Sequence, residues 1–225
     1  MEALLAFAAA LIALKFAGDL LARFRARKAP NLAAWAASLG AYAIASGALA
    51  WGAAAGWDDI AFRVYYLAGG LLTAPLLGVG SLLLRGHRWP LPVAIGYAGL
   101  AIGIMLAVPL SAPVSGTQIP DAQAHLAGFP ARVLAVFGNS LGTIAVFAVA
   151  LLTMRREWVG NVLILAGVLV AAAGTALTGL GESDTALFIL GGVILLYAGF
   201  LKASGERVAA IRGLRRHPGR ARRAT

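Results

Sequence analysis

Lys15 and Asp19 stand four residues apart inside an apolar run that begins at Ala3. On a helix they share a face and can pair, and ionisable groups at membrane depth are costly enough to mark functional candidates. Two readings apply: a solute or proton site, or a structural pair whose lysine stem stretches towards lipid phosphate. Further along, DDIAFRVYYLAGGLLTAPLLGVGSLLLRG sets Arg63, Tyr66 and Gly70 at helical spacing, and Gly70, Ala74 and Gly78 continue the row. Small residues every fourth position let another helix approach, and Pro75 frees a backbone carbonyl near mid-membrane. The stretch reads either as a kinked helix lining a cavity, with Arg63 at its outer mouth meeting an anion, or as packing with an Arg63–Asp59 pair. Arg132 opens another apolar run holding Gly138, Asn139, Ser140 and Gly142. There Asn139 must hydrogen-bond inside the protein. Lys15, Asp19, Arg63, Tyr66, Arg132 and Asn139 are thus the ligand-binding candidates.

Other chemistries lack their residues. The chain has no Cys and three His, and His87, His125 and His217 all fall in polar stretches. Intramembrane haem ligation and a His- or Cys-based zinc site have no ligands, so neither a metal nor another cofactor is expected. Ser140 has no His placed to activate it, Lys202 is too near a helix end for a Schiff base in the membrane, and no P-loop occurs. No catalytic residue is nominated, and the chain is not expected to be an enzyme.

The elements that must position these residues follow from composition. Of 225 residues, 60% are hydrophobic and only 12% are charged, and mean hydropathy is +0.83. A soluble domain carries about 25% charged residues, so a water-facing globule is excluded. A hydrocarbon core of about 30 Å needs about 20 apolar residues per helix. Seven segments approach that length: 3–21, 32–55, 60–84, 91–111, 131–154, 159–180 and 185–201. Residues 1–202 therefore read as an all-α transmembrane domain of seven helices, and 203–225 as a basic tail, partly disordered. The tail's first part, GERVAAIRGLRR, suits a basic helix along the bilayer surface that attracts anionic lipid. The long connection Pro113–Pro130 suits an ordered loop with a short helix around 121–127.

Charge then separates by side. Arg23, Arg25, Arg27 and Lys28 follow the first span; Arg85 and Arg88 follow the third, and Arg155 and Arg156 follow the fifth. The tail from Lys202 holds eight more, making sixteen of the nineteen Lys and Arg. Basic loops stay in the cytoplasm, which puts the N-terminus outside and the C-terminus inside. The formal net charge of +10 is thereby read as membrane topology, and no nucleic-acid partner is expected. The three remaining cations are Lys15, Arg63 and Arg132.

AFRVYYLAGGLLTAPLLGVGSLLL and GNVLILAGVLVAAAGTALTGLGESDTALFILGGVILLYAGFL resemble stretches of uncharacterised multi-pass membrane proteins of high-GC Gram-positive bacteria. The resemblance implies a bacterial cytoplasmic membrane location and a seven-helix topology, and it supplies no catalytic residues. The expected function is a small-solute or lipid binding or translocating module, its cavity walled by the first, third and fifth helices. The alternatives are a non-catalytic accessory or scaffold subunit with a membrane-protein partner, for which three GxxxG pairs speak, or a sensor reading a ligand through 113–130.

Overall fold

In a computed structural model, residues 2–155, 158–178, 187–199 and 202 are described, with backbone alone for 172–178. Among them all regular structure is helical: α1 (Glu2–Arg27), α2 (Pro30–Ala55), α3 (Asp59–Leu84), α4 (Pro90–Ala107), α5 (Gly128–Thr153), α6 (Trp158–Thr178) and α7 (Leu187–Gly199). The first five are long and apolar enough to cross a membrane; the apolar stretches Trp158–Ala171 and Leu187–Gly199 are shorter. Seven spans were expected, and five helices among the described residues meet that requirement. The expected tail 203–225 lies outside the described residues.

Helix boundaries follow local chemistry. Pro30 sits in the first turn of α2, where its missing N–H costs nothing. Asp58 caps α3, its carboxylate accepting from the Ala61 amide at 2.7 Å. Residues 91–111 were expected to be helical, but α4 stops at Ala107 and Val108 is extended. The cause is Pro109, which pushes its predecessor out of the helical region. At the other extreme, α1 runs to Arg27, six residues beyond the expected end, and its three arginines occupy helical turns rather than a loop. Lys28, at φ 52°, then turns the chain into α2.

The helices α1 and α2 pack along one another, α2 lies on α3, and the half of α3 after Ala74 crosses α5. Phe16, Leu20 and Leu39 form one core with Val193 of α7, and Phe62, Leu71, Met105 and Leu126 form another. The outward faces are also apolar. Leu4, Phe7, Leu11 and Leu14 repeat at helical spacing on α1, all more than half exposed, and Val136, Phe137, Leu141 and Ile144 do so on α5. Such belts suit lipid, not water.

Residues Tyr66–Thr73 of α3 are wound as a π-helix. This segment positions much of the polar chemistry of the bundle.

Candidate functional site

In a π-helix the carbonyl of residue i receives the N–H of residue i+5. For Gly70 that residue is Pro75, which has no N–H. Asn139 supplies the missing donor, its Nδ2 reaching the Gly70 carbonyl oxygen at 2.9 Å from α5. The Thr73 hydroxyl donates to the Ala68 carbonyl at 2.8 Å, and the Ser38 hydroxyl of α2 donates to the Thr73 carbonyl at 2.7 Å. Glycines allow the approach. A Cβ on Gly142 would fall 2.8 Å from Pro75 N, and one on Gly78 would fall 2.6 Å from Gly142 Cα.

Arg63 answers a second proline. An α-helical Met105 carbonyl would accept from residue 109, which is Pro109. The Arg63 guanidinium donates to that carbonyl instead, tying α3 to the last turn of α4. Asp59, the expected partner of Arg63, accepts from the Val114 amide at 2.9 Å and straps the loop after α4 to α3. That loop contains the expected short helix, Ala122–His125, capped by Asp121. His125 Nδ1 lies 3.1 Å from the Ala112 carbonyl.

The Lys15–Asp19 pair forms at 3.3 Å, with the lysine side chain 67% exposed. The Tyr197 hydroxyl donates to the same Asp19 oxygen at 3.1 Å, so the carboxylate brackets α1 to α7. Lys15 Nζ also stands 5.9 Å from the Tyr197 ring centre. Tyr66 packs its ring 6.1 Å from that of Phe62. Half-buried Arg132 borders a shallow groove with Phe129, Val136 and Phe137. No hydrogen bond or ion pair among the described residues joins Lys15–Asp19, Arg63 and Asn139 to one another. The six candidates fall into separate groups: Lys15 and Asp19 on α1, Arg63 at the contact of α3 with α4, and Tyr66, Arg132 and Asn139 about the contact of α3 with α5.

The main cavity lies elsewhere. A cleft of about 640 Å³ opens at the basic end of the bundle, between α1, α2, α3, α5, α6 and α7. Its depth is lined by Phe16, Leu20, Leu39, Leu77 and Val146, and its polar end by Arg23, Arg27, Asn31 and Arg85. Trp35 lies along the wall, its ring against Gly80. None of the six candidates lines this cleft, and its walls extend to three helices beyond the expected first, third and fifth. The volume is that of a small-ligand site, which runs to about 300–1,000 Å³. Among the described residues no three His, Asp or Glu side chains converge to hold a metal.

Comparison with protein-family models, curated proteins and solved structures finds no match.

The arginines of the cleft were read in the sequence as marks of topology. One signal was available: Arg23 and Arg27 are four residues apart, hence on one face of α1. The part taken by Arg85, Trp35 and Asn161 depends on helices far apart in the chain, and no local pattern announces it.

Proposed function

We propose that the protein is a seven-span component of the bacterial cytoplasmic membrane that binds an amphiphile, without catalysis, in the cleft at its basic end. The N-terminus is outside and the C-terminus inside, α6 and α7 completing the spans, and the Arg-rich tail rests on anionic lipid. The observation that carries the reading is the cleft itself: an apolar interior that ends in a cluster of cations. An amphiphile is the ligand class that satisfies both parts at once.

Two experiments test the reading. Ala150 lines the cleft and is buried, so Ala150→Phe fills it. Native mass spectrometry from mild detergent should show lipid retained by the parent protein and lost by this variant; equal retention counts against the site. Orientation is open to cysteine labelling, because the chain has no Cys of its own. Gln123→Cys should react with an impermeant maleimide in intact cells, and His87→Cys only after lysis. The opposite pattern overturns the topology.

A second reading, an accessory subunit, rests on α4. Gly96, Gly99 and Gly103 lie on this helix with nothing within 4 Å of a Cβ placed on each, an edge open to a partner helix. Cysteine cross-linking from Gly99→Cys to a membrane protein of constant mass would favour it.

A further inference from the structure

We infer that the ligand of the cleft is an anionic membrane lipid, its phosphate held by Arg27 and Arg85 near Arg23 and its chain laid along the apolar wall. The inference rests on the amphiphile-binding reading and narrows it to one chemical class.

Charge is the first support. Three guanidinium groups line the cleft, and no Asp or Glu does so among the described residues. Arg27 and Arg85 are exposed, and the Lys15–Asp19 ion pair involves neither. Guanidinium is the side chain best matched to phosphate, because its planar fork can donate two parallel hydrogen bonds.

Three neutral polar groups of the lining, Ser81, Thr153 and Asn161, do not compete for the headgroup. The Ser81 hydroxyl donates to the Leu77 carbonyl at 3.1 Å, and Thr153 donates to the Val149 carbonyl at 2.8 Å. Asn161 Nδ2 in turn donates to Thr153 Oγ1 at 3.0 Å. These three side chains are engaged within the protein, which leaves Arg27 and Arg85, with Asn31 beside them, to meet a ligand.

Depth is the second support. The lining runs from Phe16 to Arg27 on α1, from Ala29 to Leu39 on α2 and from Leu77 to Arg85 on α3. At 1.5 Å per residue these are stretches of roughly 12 to 17 Å. One leaflet's share of a hydrocarbon core about 30 Å thick is the same length. A lipid with its phosphate at headgroup level would place its chain at the depth the cleft provides. The chain's own 203–225 segment suits the cleft poorly, since it carries seven arginines against one carboxylate, Glu206. It would add cations to cations.

Trp35 supplies the probe. The full protein is placed in phosphatidylcholine nanodiscs, and a lipid brominated on its chains is titrated in, either phosphatidylglycerol or phosphatidylcholine. Bromine quenches indole on contact, and the difference between the parent and Trp35→Phe isolates the Trp35 signal from that of tryptophans facing bulk lipid. Brominated phosphatidylglycerol should quench Trp35 at a mole fraction at least about tenfold lower than brominated phosphatidylcholine. Arg27→Gln and Arg85→Gln should each weaken that preference about fivefold, the factor one basic side chain is worth beside anionic lipid. Arg88→Gln, at the same end but outside the cleft, should leave it within a factor of two or so by the same reasoning.

Equal quenching by the two lipids overturns the anionic assignment and leaves the amphiphile reading standing. No Trp35 quenching by either lipid overturns both. If millimolar inorganic phosphate reverses the quenching, the site takes the free anion and the lipid assignment is wrong. The comparison of the two lipids on the parent protein holds even where a variant does not fold.

Discussion

Asn139 and Arg63 do the same work at two places along α3: each gives a proline-orphaned carbonyl a donor from another helix. An unpaired carbonyl in lipid is costly, which explains why these polar side chains sit where they do without a ligand. Asn139→Ala should lower stability by about 1 kcal/mol, in line with interhelical hydrogen bonds in membranes, as read from thermal unfolding in detergent. Adding Pro75→Ala should recover much of that loss, because residue 75 regains an N–H for the Gly70 carbonyl. Simply additive losses would contradict the pairing. The exposed Lys15–Asp19 pair should matter less, Lys15→Met leaving the unfolding midpoint close to that of the parent. Part of this was legible in the sequence: Pro75 had to free a carbonyl, and Asn139 had to find a partner inside. That they satisfy each other across 69 positions is a matter of helix pairing, which the local pattern does not contain. Arg63 was expected to meet Asp59 or an anion and instead meets a backbone carbonyl, because α4 ends early.

Among the elements, glycine does different work in each of the three GxxxG pairs. Gly138 and Gly142 carry the crossing of α5 on α3, with Gly78 facing them. Gly52 lies under the Trp57 ring, and Gly56 turns the chain at φ 96°. Gly99 and Gly103 face open space. Gly142→Ala should therefore cost about 1–3 kcal/mol by overpacking. By contrast Gly103→Ala should be neutral or stabilising by up to about 1 kcal/mol, since alanine is the better helix former. Unfolding midpoints of the two variants check this contrast, and similar losses for both would contradict it. Apolar periodicity located the helices well, because each span must satisfy its own backbone in lipid. It could not say which of three identical motifs would meet a neighbour, and it missed the π-helical segment.

At the scale of the whole molecule, the arginines have two uses. Their placement sorts loops by side, which is how the sequence was read, and the fold gathers Arg23, Arg27 and Arg85 around an apolar cleft. Of the candidates chosen for lying deep in the membrane, Asp19, Arg63 and Asn139 hold helices together, whereas the cavity lies where Arg23, Arg27 and Arg85 meet the ends of six helices. A cavity is a property of the assembled bundle, so no spacing rule within one helix could reveal it. The central claim is that this cleft binds the ligand and the intramembrane polar residues support the fold. Lipid retention measured by native mass spectrometry on Ala150→Phe and Asn139→Ala, side by side, separates the two. Ala150→Phe, folded and filled at the cleft, should lose bound lipid while Asn139→Ala keeps it despite its lower stability. Retention by Ala150→Phe together with loss in Asn139→Ala would contradict that claim.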